Sequence, residues 1–365
     1  VSAHLPKGET FAGYVLGDVL GQGGFGITYQ SRNRETGEKF AIKEYFPADY
    51  ADRGPNNAVR PTSEGQHLFH MGLEAFLQEA NLLRDLPQQR GLMRVRAAFQ
   101  KHGTAYCVME YIQGDPLDRM MSRMIDARGS VPQDLVTTFL QSMLGALDAV
   151  HKVGVVHRDM KPANVMIRKD GQPILIDFGA ARLMGKSSGL ASMFTRKYAA
   201  IEQFPPEKTG LAGGVHEGPW SDLFALSVIL YEMVSQSLPP NAEERWKEKR
   251  ARGRDPYVPV RQNLARNRVQ AGYEDVLLNA IDMGCKLLPK DRIRTARDYA
   301  RIAGIDLNAS EDAQDTSGQR PARKSPQSGR SGKSSRKRGG PKAWVFVLLF
   351  ILVIALAVIA YGTLM

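Results

Sequence analysis

The sequence predicts an α+β chain with two lobes, a small β-rich one followed by a larger helical one. A polar linker and one apolar segment follow. Three observations predict this. The first hundred residues hold short β-prone runs broken by glycine and turn residues, with one amphipathic helical segment among them. After Gly114 the apolar residues recur at helical spacing. Residues 306–342 have almost no large apolar side chains after Leu307, and residues 343–365 carry no charge at all.

The elements follow in order. Tyr14–Gly21, Ile27–Arg32, Lys39–Tyr45 and Tyr106–Tyr111 read as strands, rich in β-branched and aromatic residues and separated by turn residues. Leu73–Leu86 reads as a helix, with Leu73, Phe76, Leu77, Ala80 and Leu83 on one face. The long stretch before it, Glu44–Gly72, holds Pro47, Gly54, Pro55, Pro61 and Gly65 and reads as an elaboration packed on the small lobe. Pro132 opens a helix striped by Leu135, Val136, Phe139, Leu140, Met143, Leu144, Leu147 and Val150, and Gly154 closes it. Leu223–Val234 is apolar nearly all round, with Ser221 or Asp222 as cap, which predicts a helix in the middle of the larger lobe.

Residues 306–342 cannot bury enough surface to offset their ordering entropy and read as a disordered basic linker. Trp344–Tyr361 is long enough, at about 1.5 Å per residue, to span a hydrocarbon core of ~30 Å as one transmembrane helix. The basic flank on its N-terminal side predicts that everything before it is cytoplasmic. The expected divisions are therefore 1–112 and 113–305 for the two lobes, 306–342 for the linker and 343–365 for the span.

Charge and cysteine content narrow the function. The formal charge of +11 is concentrated in residues 316–342, which hold nine basic residues and no acidic one; the rest balances 40 Lys and Arg against 38 Asp and Glu. A near-neutral body argues against a nucleic-acid groove. Two cysteines, Cys107 and Cys285, are too few for a disulfide framework or a cysteine-rich zinc module and suit a reducing compartment. Gly185-Lys186-Ser187 and Gly332-Lys333-Ser334 resemble the end of a Walker A loop, but Ala180 and Gln327 stand where its first glycine is required.

Four motifs carry chemistry. Gly21-Gln22-Gly23-Gly24-Phe25-Gly26 lies between two strands, so its glycines make a hairpin whose backbone can approach a polyphosphate; an ordinary glycine-rich hairpin would look the same. Lys43 follows Ala41 and Ile42 in a strand. If it points inward it needs an anion, either nucleotide phosphates or a carboxylate on the helix at 73–86, where Glu79 shares a side with Phe76 and Leu83 and Glu74 does not. A solvated strand lysine is the alternative. The third motif is His157-Arg158-Asp159-Met160-Lys161-Pro162-Ala163-Asn164, and the fourth is Asp177-Phe178-Gly179 after the apolar run Ile174–Ile176. An Asp can orient a hydroxyl and accept its proton, while a Lys two residues on neutralises a transferring phosphoryl group. An Asn and a second Asp supply the hard oxygen ligands that Mg²⁺ prefers.

Together these motifs, in this order over roughly residues 10–305, resemble the eukaryotic-like (Hanks-type) protein kinases, and Asp159-x-Lys161 resembles their serine/threonine branch. The stretches GQGGFGITY, AIKEYFP, TAYCVMEY and YAAIEQF are similar to a bacterial, membrane-anchored subgroup. The resemblance implies the two-lobe protein-kinase fold, ATP and Mg²⁺, and Ser/Thr-containing protein substrates, with autophosphorylation. It implies an inner-membrane location and, as for some subgroup members, a phosphothreonine-reading partner.

It also implies roles by position. Gly21, Gly23, Gly24, Phe25 and Gly26 cover the phosphates; Thr28 and Ala41 enclose adenine, and Glu110 and Ile112 offer it backbone groups beside Met109. Lys43 holds the phosphates and pairs with Glu79. Asp159 is the base or hydroxyl orienter, Lys161 stabilises charge, and Asn164 and Asp177 ligate Mg²⁺. His157 and Phe178 pack. Asp222 caps the loop that carries His157 and Arg158, and Glu202 pairs with Arg292. Arg158 reads a phosphate on the activation segment, residues 180–201, with Ser192 the favoured acceptor; Thr195 instead matches a threonine that bonds the catalytic Asp and Lys. Ala200 replaces a proline and Phe194 a glycine in the peptide-docking stretch, which puts peptide specificity in doubt. The rival is a nucleotide-binding scaffold without transfer activity, against which stand the intact Lys43, Glu79, Asp159, Lys161, Asn164 and Asp177.

Overall fold

The computed structural model describes residues 3–178, 182–183, 195–211 and 216–307, with backbone alone at 182–183 and 207–208. All lie within the first of two units, Val1–Thr316; the second is Ser317–Met365. The expected span at 343–365, the linker after Leu307 and Ser192 lie outside the described residues. Among those residues no helix is long and apolar enough to cross a membrane.

The N-terminal strands form one antiparallel sheet. Its strands are β1 (Thr10–Phe11), β2 (Tyr14–Gly23), β3 (Gly26–Asn33), β4 (Lys39–Tyr45), β7 (Val95–Lys101) and β8 (Thr104–Glu110), in the order β1-β2-β3-β4-β8-β7. Alternation along β4 sorts its side chains between two cores. Phe40 and Ile42 join Ile27, Tyr29, Tyr106 and Val108 in a back core of the small lobe. Ala41 joins Cys107 and Met109 in a front core that runs on into the helical lobe.

The 44–72 stretch is pinned behind this sheet. It forms a small hairpin, β5 (Ala51–Arg53) and β6 (Val59–Pro61), and then helix α1 (Gln66–Asp85). Arg53 reaches back to Glu44 on β4, with Nη2 2.6 Å from Oε2, both side chains being almost fully buried. Tyr29 and Tyr106 also donate to that carboxylate, each at 2.9 Å. Helix α1 starts seven residues before the expected Leu73. Phe69 is buried against Tyr45, and Gly72 lies so close to the Tyr45 hydroxyl that a Cβ there would collide with it. Strand β7 is a further element not expected from the pattern.

The helical lobe begins after β8 with a short strand, β9 (Gly114–Pro116), and α2 (Leu117–Arg128), a helix not expected from the sequence. Helix α3 (Gln133–Lys152) buries its predicted stripe except Leu135, which is partly buried, and Gly154 follows it at φ +80°, a conformation that favours glycine. Strand β10 (Val155–Val156) pairs with β13 (Arg182–Leu183); β11 (Val165–Arg168) and β12 (Pro173–Leu175) form a hairpin that also pairs with β9. After α4 (Pro206–Thr209) comes α5 (Pro219–Ser235), buried on nearly every side as its all-round apolarity requires. Helices α6 (Ala242–Arg252), α7 (Val260–Arg266), α8 (Asp275–Gly284) and α9 (Ala296–Ile302) complete the lobe.

Candidate functional site

A cleft of about 810 Å³ opens between the β2–β3 hairpin and the β11–β12 hairpin. Gly21, Gly23, Gly24, Phe25 and Gly26 line one side; Thr28, Ala41, Lys43, Met109, Glu110 and Ile112 line the back; Asp159, Lys161, Asn164, Asp177 and Thr195 line the other side. Of the residues expected around a nucleotide and its metal, Glu79 alone is missing from that lining.

Among the loop glycines, Gly21 and Gly23 face open space, as a backbone that approaches a ligand should. Gly26 has a different reason to be glycine: a Cβ there would collide with the Glu44 carbonyl oxygen across the β3–β4 ladder.

Lys43 corrects one expectation. Its ammonium pairs with Asp177 rather than with Glu79. Burial works to lower the Lys43 pKa, but the Asp177 carboxylate outweighs it and holds the ammonium above its ordinary value. Glu79 sits half-buried on α1, and burial drives its carboxyl well above the usual range. Lys43 opposes that rise and Asp177 adds to it. Lys43 carries a single charge, and the nearer carboxylate takes it. Behind the same lysine, burial pushes the Cys107 thiol up to about 12, so it stays a neutral packing group.

The loop from His157 to Asn164 is fixed from three sides. Asp222, in the first turn of α5, accepts from His157 N at 2.9 Å and from Arg158 N at 2.8 Å, while His151 Nε2 lies 2.8 Å from its Oδ2. Burial alone would raise the Asp222 carboxyl, but the bond from His151 and the neighbouring charges hold it below its usual value. His157 packs against Phe178 with ring centroids 4.6 Å apart and the rings tilted by 59°, a packing role as expected. Gln203 Nε2 donates to Arg158 O at 2.7 Å.

Asp159 sits at the centre of this loop. Its Oδ1 accepts from Thr195 Oγ1 at 2.9 Å and Thr195 N at 3.1 Å; its Oδ2 accepts from Lys161 Nζ at 2.5 Å and Asn164 Nδ2 at 3.2 Å. Lys161 also donates to Thr195 Oγ1 at 3.2 Å. A carboxylate and an ammonium are thus held side by side at the cleft wall, an arrangement suited to taking a proton from a hydroxyl while stabilising new negative charge.

The β11–β12 hairpin explains how Asn164 and Asp177 come together. They flank its two strands, and Ile176 N donates to Asn164 O at 2.9 Å across its open end. Asn164 spends its amide N–H groups on Asp159, which turns the amide oxygen toward other duty. Asp177 adopts φ +59°, a conformation that costs a non-glycine residue energy and that a functional site can hold in place. Among the described residues no three His, Cys, Asp or Glu side chains cluster as a metal cage. Two hard oxygen donors fit Mg²⁺, which keeps several waters and takes phosphate oxygens as further ligands.

The structural pair is as expected. Arg292 meets Glu202 with two bonds, 2.6 and 3.0 Å, and both side chains are buried. Sequence reasoning missed two contacts. Arg168 on β11 donates to the Glu110 carboxylate at 2.6 Å, tying the strand after the loop to the back of the cleft. Arg158, expected to bind a phosphate, makes a two-point ion pair with Glu217. A lone Glu in a loop gives no signal that could have revealed it.

Comparison with known proteins places this geometry. Residues 14–295 match the family model described as protein kinase domain. A probable serine/threonine-protein kinase of Streptomyces coelicolor is 30% identical over 222 residues, covering 61% of this chain and 30% of that protein. The serine/threonine-protein kinase PknA of Nostoc sp. is 25% identical over 286 residues, covering 77% of this chain and 45% of that one. The chain thus spans less than half the length of either relative. A solved structure titled PpkA-294 apo form superposes with a TM-score of 0.66 at 27% identity, covering 83% of this chain and all of that one.

Proposed function

The chain belongs to the protein kinase family, and from that premise we propose that it is a serine/threonine protein kinase. It transfers the γ-phosphoryl group of Mg-ATP to hydroxyls of proteins, its own included. The observation that carries this reading is the Asp159–Lys161–Thr195 constellation, held in one cleft with Asn164, Asp177 and Lys43.

The residues act as follows under this reading. The glycine-rich turn covers the phosphates with backbone groups, and Glu110 and Ile112 meet adenine beside Met109. Lys43 exchanges the Asp177 carboxylate for the α- and β-phosphates. Asn164 and Asp177 would hold Mg²⁺, which supplies charge neutralisation on the phosphates. Asp159 orients the acceptor hydroxyl; as its oxygen bonds to the γ-phosphorus and the bond to ADP breaks, the hydroxyl proton passes to Asp159. Lys161 offsets the charge spread over the transferring group, and Thr195 keeps Asp159 in register.

The membrane tether belongs to the same proposal, with the kinase body on the cytoplasmic side of an inner membrane. Its support is the uncharged run 343–365 behind a basic flank. A phosphothreonine-reading partner rests on the resemblance to the bacterial subgroup alone.

The test is intact mass after incubation of the full chain with Mg-ATP. Wild type should gain mass in steps of one phosphate, on Ser and Thr. Asp159→Asn should slow the gain by about 10²–10⁴-fold while still binding ATP. No gain in wild type despite ATP binding sinks the kinase reading in favour of a scaffold. A chain without residues 343–365 should leave the membrane fraction; if it stays there, the tether is wrong.

A further inference from the structure

Ala200 replaces the proline of the kinase motif, and the structure gives that change a partner. An alanine keeps its backbone N–H, and Ala200 N donates to Gln203 Oε1 at 2.9 Å. A proline has no such donor, and its ring carbon Cδ would stand where that N–H points. Gln203 ends the short 3-10 turn Ile201–Gln203, and its side chain folds back over the turn to reach residue 200. The other end of the same amide reaches the 157–164 loop, where Nε2 donates to Arg158 O at 2.7 Å. Ala200 is 0% and Gln203 4% exposed, so water competes weakly for either bond. Among the described residues neither backbone group has another partner.

These two bonds close a ring through Asp159. Thr195 N and Oγ1 donate to Asp159, and Thr195 O accepts from Tyr198 N at 3.0 Å and Ala199 N at 3.2 Å. Ala200 N then donates to Gln203, and Gln203 donates to the carbonyl of the residue just before Asp159. The base of the ring is fixed, because Glu202 is held by Arg292 and by Ser221 Oγ at 2.8 Å from α5.

We propose that Gln203 is a positioning residue for the acceptor hydroxyl. It ties the peptide-docking stretch to the Asp159 loop, and Ala200 stands in the proline's place because this tie needs its N–H. A glutamine suits the place because one primary amide offers an acceptor and a donor to two backbone groups of opposite need. An apolar side chain would leave a buried N–H and a buried C=O unpaired. The inference rests on the kinase reading and concerns placement of the acceptor at the same site.

The experiment compares the full chain as wild type, Gln203→Met, Ala200→Pro, Ala200→Gly and the double variant Ala200→Pro/Gln203→Met. Phosphate transferred from ATP is counted on added casein and on the chain itself, and hydrogen exchange is followed at 157–164. Gln203→Met nearly keeps the side-chain volume. It should lower the transfer rate at saturating ATP about tenfold, with KM for ATP within about threefold, because the nucleotide wall is untouched. Amides at 157–164 should exchange about tenfold faster, while the strands at 26–45 do not move, which separates positioning from general loss of stability. Ala200 has φ −72°, which already suits a proline, so Ala200→Pro should lose rate to a similar degree through the missing bond. Ala200→Gly keeps the N–H and should lose at least about threefold less than Ala200→Pro. Both single losses act on one tie, so the double variant should lie within about twofold of Gln203→Met rather than at the product of the two. If Gln203→Met does not fold, Ala200→Gly ahead of Ala200→Pro in rate and in protection of 157–164 supports the same conclusion. Ala200→Pro as active as wild type overturns the proposal, as do losses that multiply in the double variant or a KM for ATP that rises in step with the lost rate. A wild type that transfers phosphate neither to casein nor to itself strikes the kinase reading instead, and exchange at 157–164 in Gln203→Met and Ala200→Pro then decides by itself whether Gln203 ties the two stretches.

Discussion

Lys43 and Glu44 are neighbours on β4, carry opposite charges and face opposite sides of one sheet. Glu44 is 0% exposed and saturated, with Tyr29, Tyr106 and Arg53 all donating to it from the small lobe. Lys43 faces the cleft and meets one carboxylate, Asp177, which comes from beyond β12 and is 46% exposed. The back-face charge has several short-range partners fixed by their own strands, so nothing in solution can replace them. The front-face charge has a partner that an incoming phosphate can displace. The difference separates a charge that clasps the fold from a charge kept ready for a ligand.

The back face gives the largest expected effect. Arg53→Met leaves the Glu44 carboxylate buried without its cation and should cost about 3–5 kcal/mol. At about 2–4 °C per kcal/mol, the melting temperature should fall by roughly 6–20 °C. Phosphoryl transfer per folded molecule should stay within about twofold. Adding Glu44→Gln should recover most of the loss, because a neutral amide can accept from one of the Tyr29 and Tyr106 hydroxyls through its oxygen and donate to the other through its NH2 group. A double variant as unstable as Arg53→Met would show that Arg53 contributes through its bonds to Ala3 O and Asn57 O rather than through charge.

On the front face the same kind of change should act on activity. Lys43→Met is expected to lower kcat/KM for ATP by about 10²–10³-fold, roughly 3–4 kcal/mol of transition-state stabilisation. Its melting temperature should stay within about 2 °C of wild type, since Asp177 is open to water and methionine nearly matches the lysine stem in volume. A large drop in melting temperature would place Lys43 with Glu44 as a clasp and erase the contrast between the faces.

This contrast also marks what the sequence could convey. Gly21 to Gly26, Asp159, Lys161, Asn164 and Asp177 were legible because phosphoryl transfer demands those residue types at those spacings. The strands β2, β3, β4 and β8 and the helices α3 and α5 were legible because their periodicity or all-round apolarity is local. The Lys43 partner was not, since spacing cannot rank two carboxylates that approach from different elements. Arg53 was hidden in a stretch whose Pro and Gly residues read only as loop, and its role depends on a hairpin folding back onto β4. The first turns of α1 were not legible because Phe69 and Gly72 are held there by Tyr45, a tertiary contact.

Glu79 offers the smallest effect and the finest test of the comparison, because it lies on the Lys43 side without pairing to it. Its carboxyl is raised first by burial, with Asp177 pushing the same way and Lys43 opposing. A carboxyl whose pKa is higher folded than unfolded favours the protonated state. Its contribution to stability is complete below the unfolded value of about 4.3 and is lost as pH rises through the folded value. Glu79→Gln does not titrate and escapes that loss. Its melting temperature should match wild type near pH 4 and exceed it by a few degrees near pH 8, in ligand-free protein. Lys43→Met in the background should widen this gap by removing the charge that opposes the shift, while Arg53→Met, acting behind the sheet, should leave it unchanged. A gap that stays flat with pH would mean that Lys43 leaves Asp177 for Glu79 in solution, and that the front face keeps its charges paired without a ligand just as the back face does.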